Sequence, residues 1–280
     1  MNTNYSLTSN AFMDGAVLFG TRNVLLYGVL CFCICLCCSV LFGTAWGAGI
    51  SETIETAKAS VVGVGTFKKS RSPAVNFVGT GFIVDDGLTV VTNAHVVPEI
   101  LDSEHMETIG VVIGKGNDVE FRPAIIVAED AEHDLALLKL SGAAMPALKL
   151  GDSSLAREGQ SFVFTGFPLG MVLGLHHVTH RAMLSAITPI VIPAMDSHKL
   201  DAKMIAQLRR SPFGIFQLDG TAYPGNSGSP LFDPATGAVY GVINMVFVKG
   251  LKETAITQPS GISYAIPANF VRDLLRQKTQ

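Results

Sequence analysis

The chain has 280 residues, 48% of them hydrophobic, and a formal net charge of −3. That length and apolar content suit one large domain or two small ones with a proper core. There is no basic stripe and no interleaving of aromatics with Lys or Arg, so a nucleic-acid partner is excluded.

The first fifty residues carry only Asp14 and Arg22 as charges, and Val24 to Ile50 carries none. A membrane-spanning helix needs about 20 predominantly apolar residues, and this run is long enough. Arg22 on its N-terminal flank, with Glu52 and Glu55 beyond the other end, puts the N-terminus inside and everything after Ser51 outside. The competing reading is a signal peptide cleaved after "GTA", before Trp46. The expectation is an uncleaved anchor over 24–50, preceded by a cytoplasmic segment over 1–23. Either reading exports the remainder. All five cysteines (Cys31, Cys33, Cys35, Cys37 and Cys38) lie in the apolar run, so the exported part contains no disulfide. Their spacing suits no structural zinc motif.

Beyond the run, the chain reads as short strands separated by Gly, Pro, Asn and Asp clusters. Val61–Phe67, Gly79–Val84, Leu88–Asn93, Val119–Val127 and Leu135–Leu140 are rich in β-branched and aromatic residues. So are Ser161–Gly166, Phe213–Leu218, Ala238–Val248 and Gly261–Ile266. Helical crossovers are missing, which argues for an all-β barrel or sandwich and against a parallel α/β sheet. Met195–Arg210 has Leu200, Met204 and Leu208 at fourfold spacing between Pro193 and Pro212, which predicts an inserted helix. A terminal helix is predicted where Phe270, Val271, Leu274 and Leu275 share one face after Pro267.

The segment "TAYPGNSGSPLF", Thr221 to Phe232, places Ser227 on permissive backbone. Such residues are ordinary turn material, so the reading depends on what else the chain supplies. A serine nucleophile needs a base within hydrogen-bond reach and a carboxylate that orients the base. "VVTNAHVV" offers His95 directly after one strand, and "AEHDLALLKL" offers Asp134 directly before another. Each alone is an ordinary loop residue. Together they stand in the order His, Asp, Ser, used by one lineage of serine proteases.

In its segments "GTGFIVDDGLTVVTNAHVV", "HDLALLKL", "LKLGDSSLAREGQSFVFTGFPLG", "DGTAYPGNSGSPLFD" and "GISYAIPANFV", the chain resembles the trypsin-like serine proteases, and more closely the HtrA/DegP group of envelope proteases. The matching segments run from about Val61 to Val271 in family order. The resemblance implies an all-β trypsin-like double β-barrel with a C-terminal helix, the barrels lying at about 60–145 and 146–267. It implies His95 as general base, Asp134 as its orienting carboxylate and Ser227 as nucleophile. The N–H groups of Gly225 and Ser227 would form the oxyanion hole. Asn226 stands where digestive relatives carry the Asp that pairs with a freed N-terminus, so activation by N-terminal cleavage is not expected. Thr221 occupies the specificity position six residues before the serine, and Val246 and Phe247 are expected to wall the pocket. An apolar P1 residue is therefore expected. Residues 170–212 are longer than the family segment, which suggests a regulatory or substrate-rim loop. His176 and His180 within it lack a carboxylate or Cys partner for a metal, and no cofactor is called for. A PDZ domain after the terminal helix is not expected.

The expected function is a membrane-anchored serine endopeptidase of the cell envelope, exposed to the periplasm and acting on protein or peptide substrates. Assembly into a homo-oligomer is left open. A rival is a binding module that kept the fold and lost catalysis, against which the intact His, Asp and Ser count. Another is a serine esterase, which requires a strand-turn-helix elbow in an α/β chain that these strands do not provide.

Overall fold

In the first strand after the apolar run, Val61 faces one way while Val62 and Val64 face the other. That period of two is what a strand with apolar contacts on both faces requires. It recurs in Leu135–Leu140, where Leu135 and Leu137 share a face with Val61, and Ala136, Leu138 and Leu140 join Val62. The computed structural model describes residues 49–98, 100–115, 118–170, 174–189, 213–244 and 261–278.

Six strands form the first closed barrel: β1 (Val61–Phe67), β2 (Val75–Val84), β3 (Thr89–Thr92), β4 (Thr108–Lys115), β5 (Asp118–Asp130) and β6 (Leu135–Leu140). Six more form the second: β7 (Ser161–Gly166), β8 (Val178–Pro189), β9 (Gly214–Asp219), β10 (Pro230–Phe232), β11 (Val239–Asn244) and β12 (Ile262–Pro267). Neighbouring strands are antiparallel throughout, with order β1-β2-β3-β6-β5-β4 in the first barrel and β7-β8-β9-β12-β11-β10 in the second. Closure leaves neither barrel with a free edge. The double barrel is the architecture expected from the motifs. Strands β4, β8 and β10 were not among those anticipated. β8 occupies part of the 170–212 span expected as an insert, and pairs with β7 and β9 along its length.

Apolar residues collect in three clusters. One fills the first barrel around Val64, Ile83, Val90 and Leu138, and one fills the second around Phe162, Phe164, Leu184 and Leu218. The third joins the barrels, packing Phe82, Val91, Leu135 and Leu137 against Val163, Ile215, Phe232 and Val242. Two helices seal this seam. α1 (Ile50–Lys58) buries Thr53 and Ala57, with Glu52 in its first turn and Lys58 in its last, both favourable to the helix dipole. α2 (Ala268–Lys278) inserts Val271 and Leu274. It is pinned by Asn269, whose N–H donates to Ser153 Oγ at 3.0 Å and whose Nδ2 donates to Asp152 at 2.9 Å.

Residues Gly47–Gln280 cluster as one compact unit. The anchor expected over 24–50 falls almost wholly outside the described residues, as do the predicted helix over 195–210 and the five cysteines. Ile50, the last residue of that run, begins α1 and is 41% exposed. Among the described residues no helix is long and apolar enough to cross a membrane.

Candidate active site

His95 lies in a 3-10 turn, Ala94–Val96, that leaves the end of β3. Asp134 lies in the turn between β5 and β6, at φ +53°, a left-handed backbone that Asp tolerates better than most residues. β3 pairs with β6, so these two turns are neighbours at one rim of the barrel. The Asp134 carbonyl accepts from Ala94 N–H at 3.1 Å and from Asn93 Nδ2 at 3.0 Å.

The carboxylate is met from both barrels. Asp134 Oδ1 accepts from the His95 backbone N–H at 2.9 Å, and Oδ2 lies 2.6 Å from His95 Nδ1. Asn244 Nδ2, at the end of β11, donates to the same Oδ2 at 2.6 Å. An ionised carboxylate only accepts, so the ring proton sits on Nδ1 and the lone pair of neutral His95 is on Nε2.

Ser227 occupies the turn before β10 and is 6% exposed. Its carbonyl accepts from Thr80 N–H on β2 at 2.8 Å, and Thr80 Oγ1 donates to the Gly225 carbonyl at 2.6 Å. A Cβ built on Gly79, next to Thr80, would stand 2.8 Å from Val96 and 3.0 Å from the Ser227 carbonyl oxygen. The His95 turn and the Ser227 turn thus converge on one point of β2. The His95 ring and the Ser227 hydroxyl are not hydrogen-bonded to each other, although such bonds commonly tighten only when substrate is present.

Backbone shape around Ser227 depends on two glycines. Gly225 has φ +99°, and a Cβ there would lie 2.3 Å from the Phe167 carbonyl oxygen. Gly228 has φ +86°, and a Cβ there would lie 1.9 Å from the Thr80 carbonyl oxygen. Leu169 N–H donates to the Pro224 carbonyl at 2.8 Å. A trans peptide is planar, so this bond turns the Gly225 N–H the opposite way, away from Leu169. The N–H groups of Gly225 and Ser227 make no hydrogen bond among the described residues. Both are thus left able to receive a negative oxygen. Asn226, beneath them, is fully buried, and its amide makes no hydrogen bond among the described residues.

Thr221 is half-buried on a segment fastened to β12, where Ala222 N–H donates to Ser263 Oγ at 2.8 Å and Ser263 Oγ–H donates to the Gly220 carbonyl. Val246 and Phe247 lie outside the described residues. His180 lies on β8, stacked on Phe164 at 4.9 Å and near Tyr223 at 6.1 Å, and burial pushes its pKa down. His177 is turned towards the first barrel, with Nε2 2.9 Å from the Val61 carbonyl. Sequence reasoning missed Asn244, Asn93 and Thr80. The one available signal was that Asn93 follows β3 and Asn244 ends the largely apolar β11, where a buried amide needs a partner.

The Trypsin-like peptidase domain profile matches residues 79–242, more than half of the chain. A probable periplasmic serine endoprotease, DegP-like, of Halomonas elongata is 30% identical over 201 residues, covering 71% of this chain and 35% of its own. A mitochondrial serine protease HTRA2 of Drosophila pseudoobscura pseudoobscura is 31% identical over 211 residues, covering 75% of this chain and 41% of its own. The chain therefore spans well under half the length of these relatives. In fold it is similar to the HtrA-type protease AlgW with decapeptide, with a TM-score of 0.58, 21% identity and coverage of 83% of this chain and 68% of the other. The serine endoprotease from Yersinia pestis superposes with a TM-score of 0.57 at 22% identity, covering 82% and 66%. With its two six-stranded barrels and a profile match running from β2 to β11, the chain belongs to the trypsin-like peptidase family and has serine endoproteases of the HtrA/DegP group among its relatives.

Proposed function

We propose that this chain is a serine endopeptidase that cleaves protein or peptide substrates through an acyl-enzyme. The observation that carries the reading is the His95–Asp134 pair at 2.6 Å, set beside a serine turn with two unbonded N–H groups. Ser227 Oγ attacks the scissile carbonyl while His95 Nε2 takes its proton. Asp134 holds the ring in the required tautomer and stabilises the imidazolium that forms. The oxyanion is received by the N–H groups of Gly225 and Ser227, a contribution typically of about 2.7–4 kcal/mol per donor. His95 then returns the proton to the leaving amine, and a water repeats the sequence to release the acid. Asn226 cannot pair with a freed N-terminus as a carboxylate would, so the turn does not wait for cleavage of the chain. The Thr221 position, which holds no carboxylate, and the apolar sequence around Val246 and Phe247 favour an apolar P1 side chain.

The apolar run over 24–50 anchors the enzyme in the inner membrane with its barrels in the periplasm. This placement agrees with the periplasmic name of its DegP-like relatives. Full-length protein should then stay with membranes through an alkaline wash.

The decisive experiment is Ser227→Ala, assayed on an unfolded protein, alongside labelling of the unsubstituted chain by an active-site serine probe. The expected loss is at least about 10⁴-fold in kcat with the fold retained, and the probe should label Ser227. Activity within a few-fold of the unsubstituted chain would overturn Ser227 as the nucleophile, and an unsubstituted chain that neither cleaves nor takes the label would favour a binding module.

A further inference from the structure

A second His–Asp pair stands one residue from Asp134. His133 Nδ1 lies 2.6 Å from Asp130 Oδ2, and Asp130 Oδ1 accepts from the backbone N–H groups of Glu132 and His133 at 3.0 Å each. The ring is held from its faces as well. It stacks on Phe270 of α2 at 3.8 Å with a 20° interplanar angle, and meets Phe213, just before β9, edge-on at 4.5 Å. Phe213 and Phe270 meet each other at 5.3 Å, so the three rings close a triangle. The His133 side chain is left 17% exposed.

This clamp acts on a turn that has reason to relax. Asp134 follows directly in left-handed backbone at φ +53°, a conformation that Asp tolerates but that still costs more than the ordinary helical or extended regions. Its own bonds run to Asn93, Ala94, His95 and Asn244, all of which depend on where the turn places it. On the other side the turn is held through Asp130 and the His133 ring. Phe213 and α2 thereby reach the Asp134 turn through the His133 ring.

We infer that His133 is a positioning residue for the proposed reaction. Clamped by Asp130, Phe213 and Phe270, it holds the β5–β6 turn in the shape that aims the Asp134 carboxylate at His95. The inference rests on the reading of Asp134 as the carboxylate that orients His95.

The test uses the full chain with His133→Ala, His133→Phe and Asp130→Asn, reading kcat and KM on one peptide. It also reads the NMR signal of the His95 Nδ1 proton, which reports the bond to Asp134 whether or not the protein is active. His133→Ala should lower kcat about 10-fold, within the range a small misplacement of a reacting group produces, with KM unchanged and the His95 proton signal shifted or broadened. His133→Phe keeps the stacked ring and should recover most of both. Asp130→Asn should fall between them. Should His133→Ala lose thermal stability alone, with kcat within two-fold and the His95 signal unmoved, His133 is structural and the inference falls. If His133→Ala does not fold, the same readings on Asp130→Asn decide: an unchanged kcat and His95 signal sink it. An active Ser227→Ala would instead remove the proposed function, while the His95 signal would still judge the clamp.

Discussion

The two barrels share one strand order and are held together by different means. The first is laced on its outside by charge: Lys68 to Asp102 at 2.6 Å, Arg71 to Glu107 at 2.7 Å, and Lys139 to Asp86. In the second, no ion pair joins two of the described residues between β7 and β12. Its polar contacts are hydroxyls and amides, such as Ser263 to Gly220 and Ala222, and its rings stack, as Phe162 does with Tyr240. The difference carries over to the site. The first barrel contributes side chains that titrate, His95 and Asp134. The second contributes backbone shape, with Gly225 and Gly228 in conformations that a side chain would strain. One topology thus serves two purposes, depending on what its turns carry.

The sharpest way to break this contrast is to put a methyl group on each kind of turn. Gly228→Ala should be destabilised by more than ~4 kcal/mol, since the new Cβ would strike the Thr80 carbonyl in strained backbone. Gly142→Ala, in the turn leaving β6, also has positive φ, +93°, but nothing lies within 4 Å of its Cβ. It should cost only about 1–2 kcal/mol. Thermal unfolding of the two variants measures the difference, and equal losses would mean that the second barrel's turn is not specially constrained.

A smaller effect is expected at the bond by which the second barrel reaches the carboxylate. Asn244→Ala removes the donor to Asp134 Oδ2 and should lower kcat about 10-fold, the value of a hydrogen bond to a charged group. KM should hold steady. A loss above 10³-fold would show that the second barrel does more for His95 and Asp134 than a single bond.

The smallest effects separate the barrels by pH. Hydrogen bonds from Lys139 and Lys68, first among their causes, hold the Asp86 and Asp102 carboxyls at about 2, against an ordinary 3.8. Their contribution to stability is full above about pH 4 and is lost as pH falls towards 2. His180 in the second barrel is depressed by burial from 6.5, so the unfolded chain takes up its proton first. Stability is therefore lost from about pH 6.5 downward, until the folded ring is protonated too. Followed by Tm against pH, His180→Phe should flatten the upper part of the profile alone. Lys68→Met with Lys139→Met should flatten the lower part alone. A single variant that changed both parts would show that the two windows are coupled.

The readable parts of the sequence were those where one residue type has one physical use. The runs of apolar, β-branched and aromatic residues in β1, β6 and β7 gave away their strands, and the glycines around Ser227 gave away a shaped turn. β4 and β8 were harder, because Gly110 and Gly114 in one and His180 and Ser185 in the other interrupt such runs, and pairing along both edges holds these strands in place. α1 was hidden by its neighbour, since Ile50 reads as the end of an apolar run. The partners of Asp134 were only half legible. His95 could be named from strand ends and chain order, but Asn244 lies 110 residues away and meets the carboxylate only through barrel closure. The Leu169 bond to Pro224 left no trace at all, because it runs from amide to carbonyl and any residue but proline could make it.

The seam between the barrels bears on how such a molecule can move. Units that hinge usually meet across polar, modest surfaces. Here the joint is built from Phe82, Leu135, Leu137, Val163, Ile215 and Phe232, all nearly or wholly excluded from solvent, and is closed at its ends by α1 and α2. Opening it would expose interior. The buried seam therefore works against rigid-body swinging of one barrel on the other.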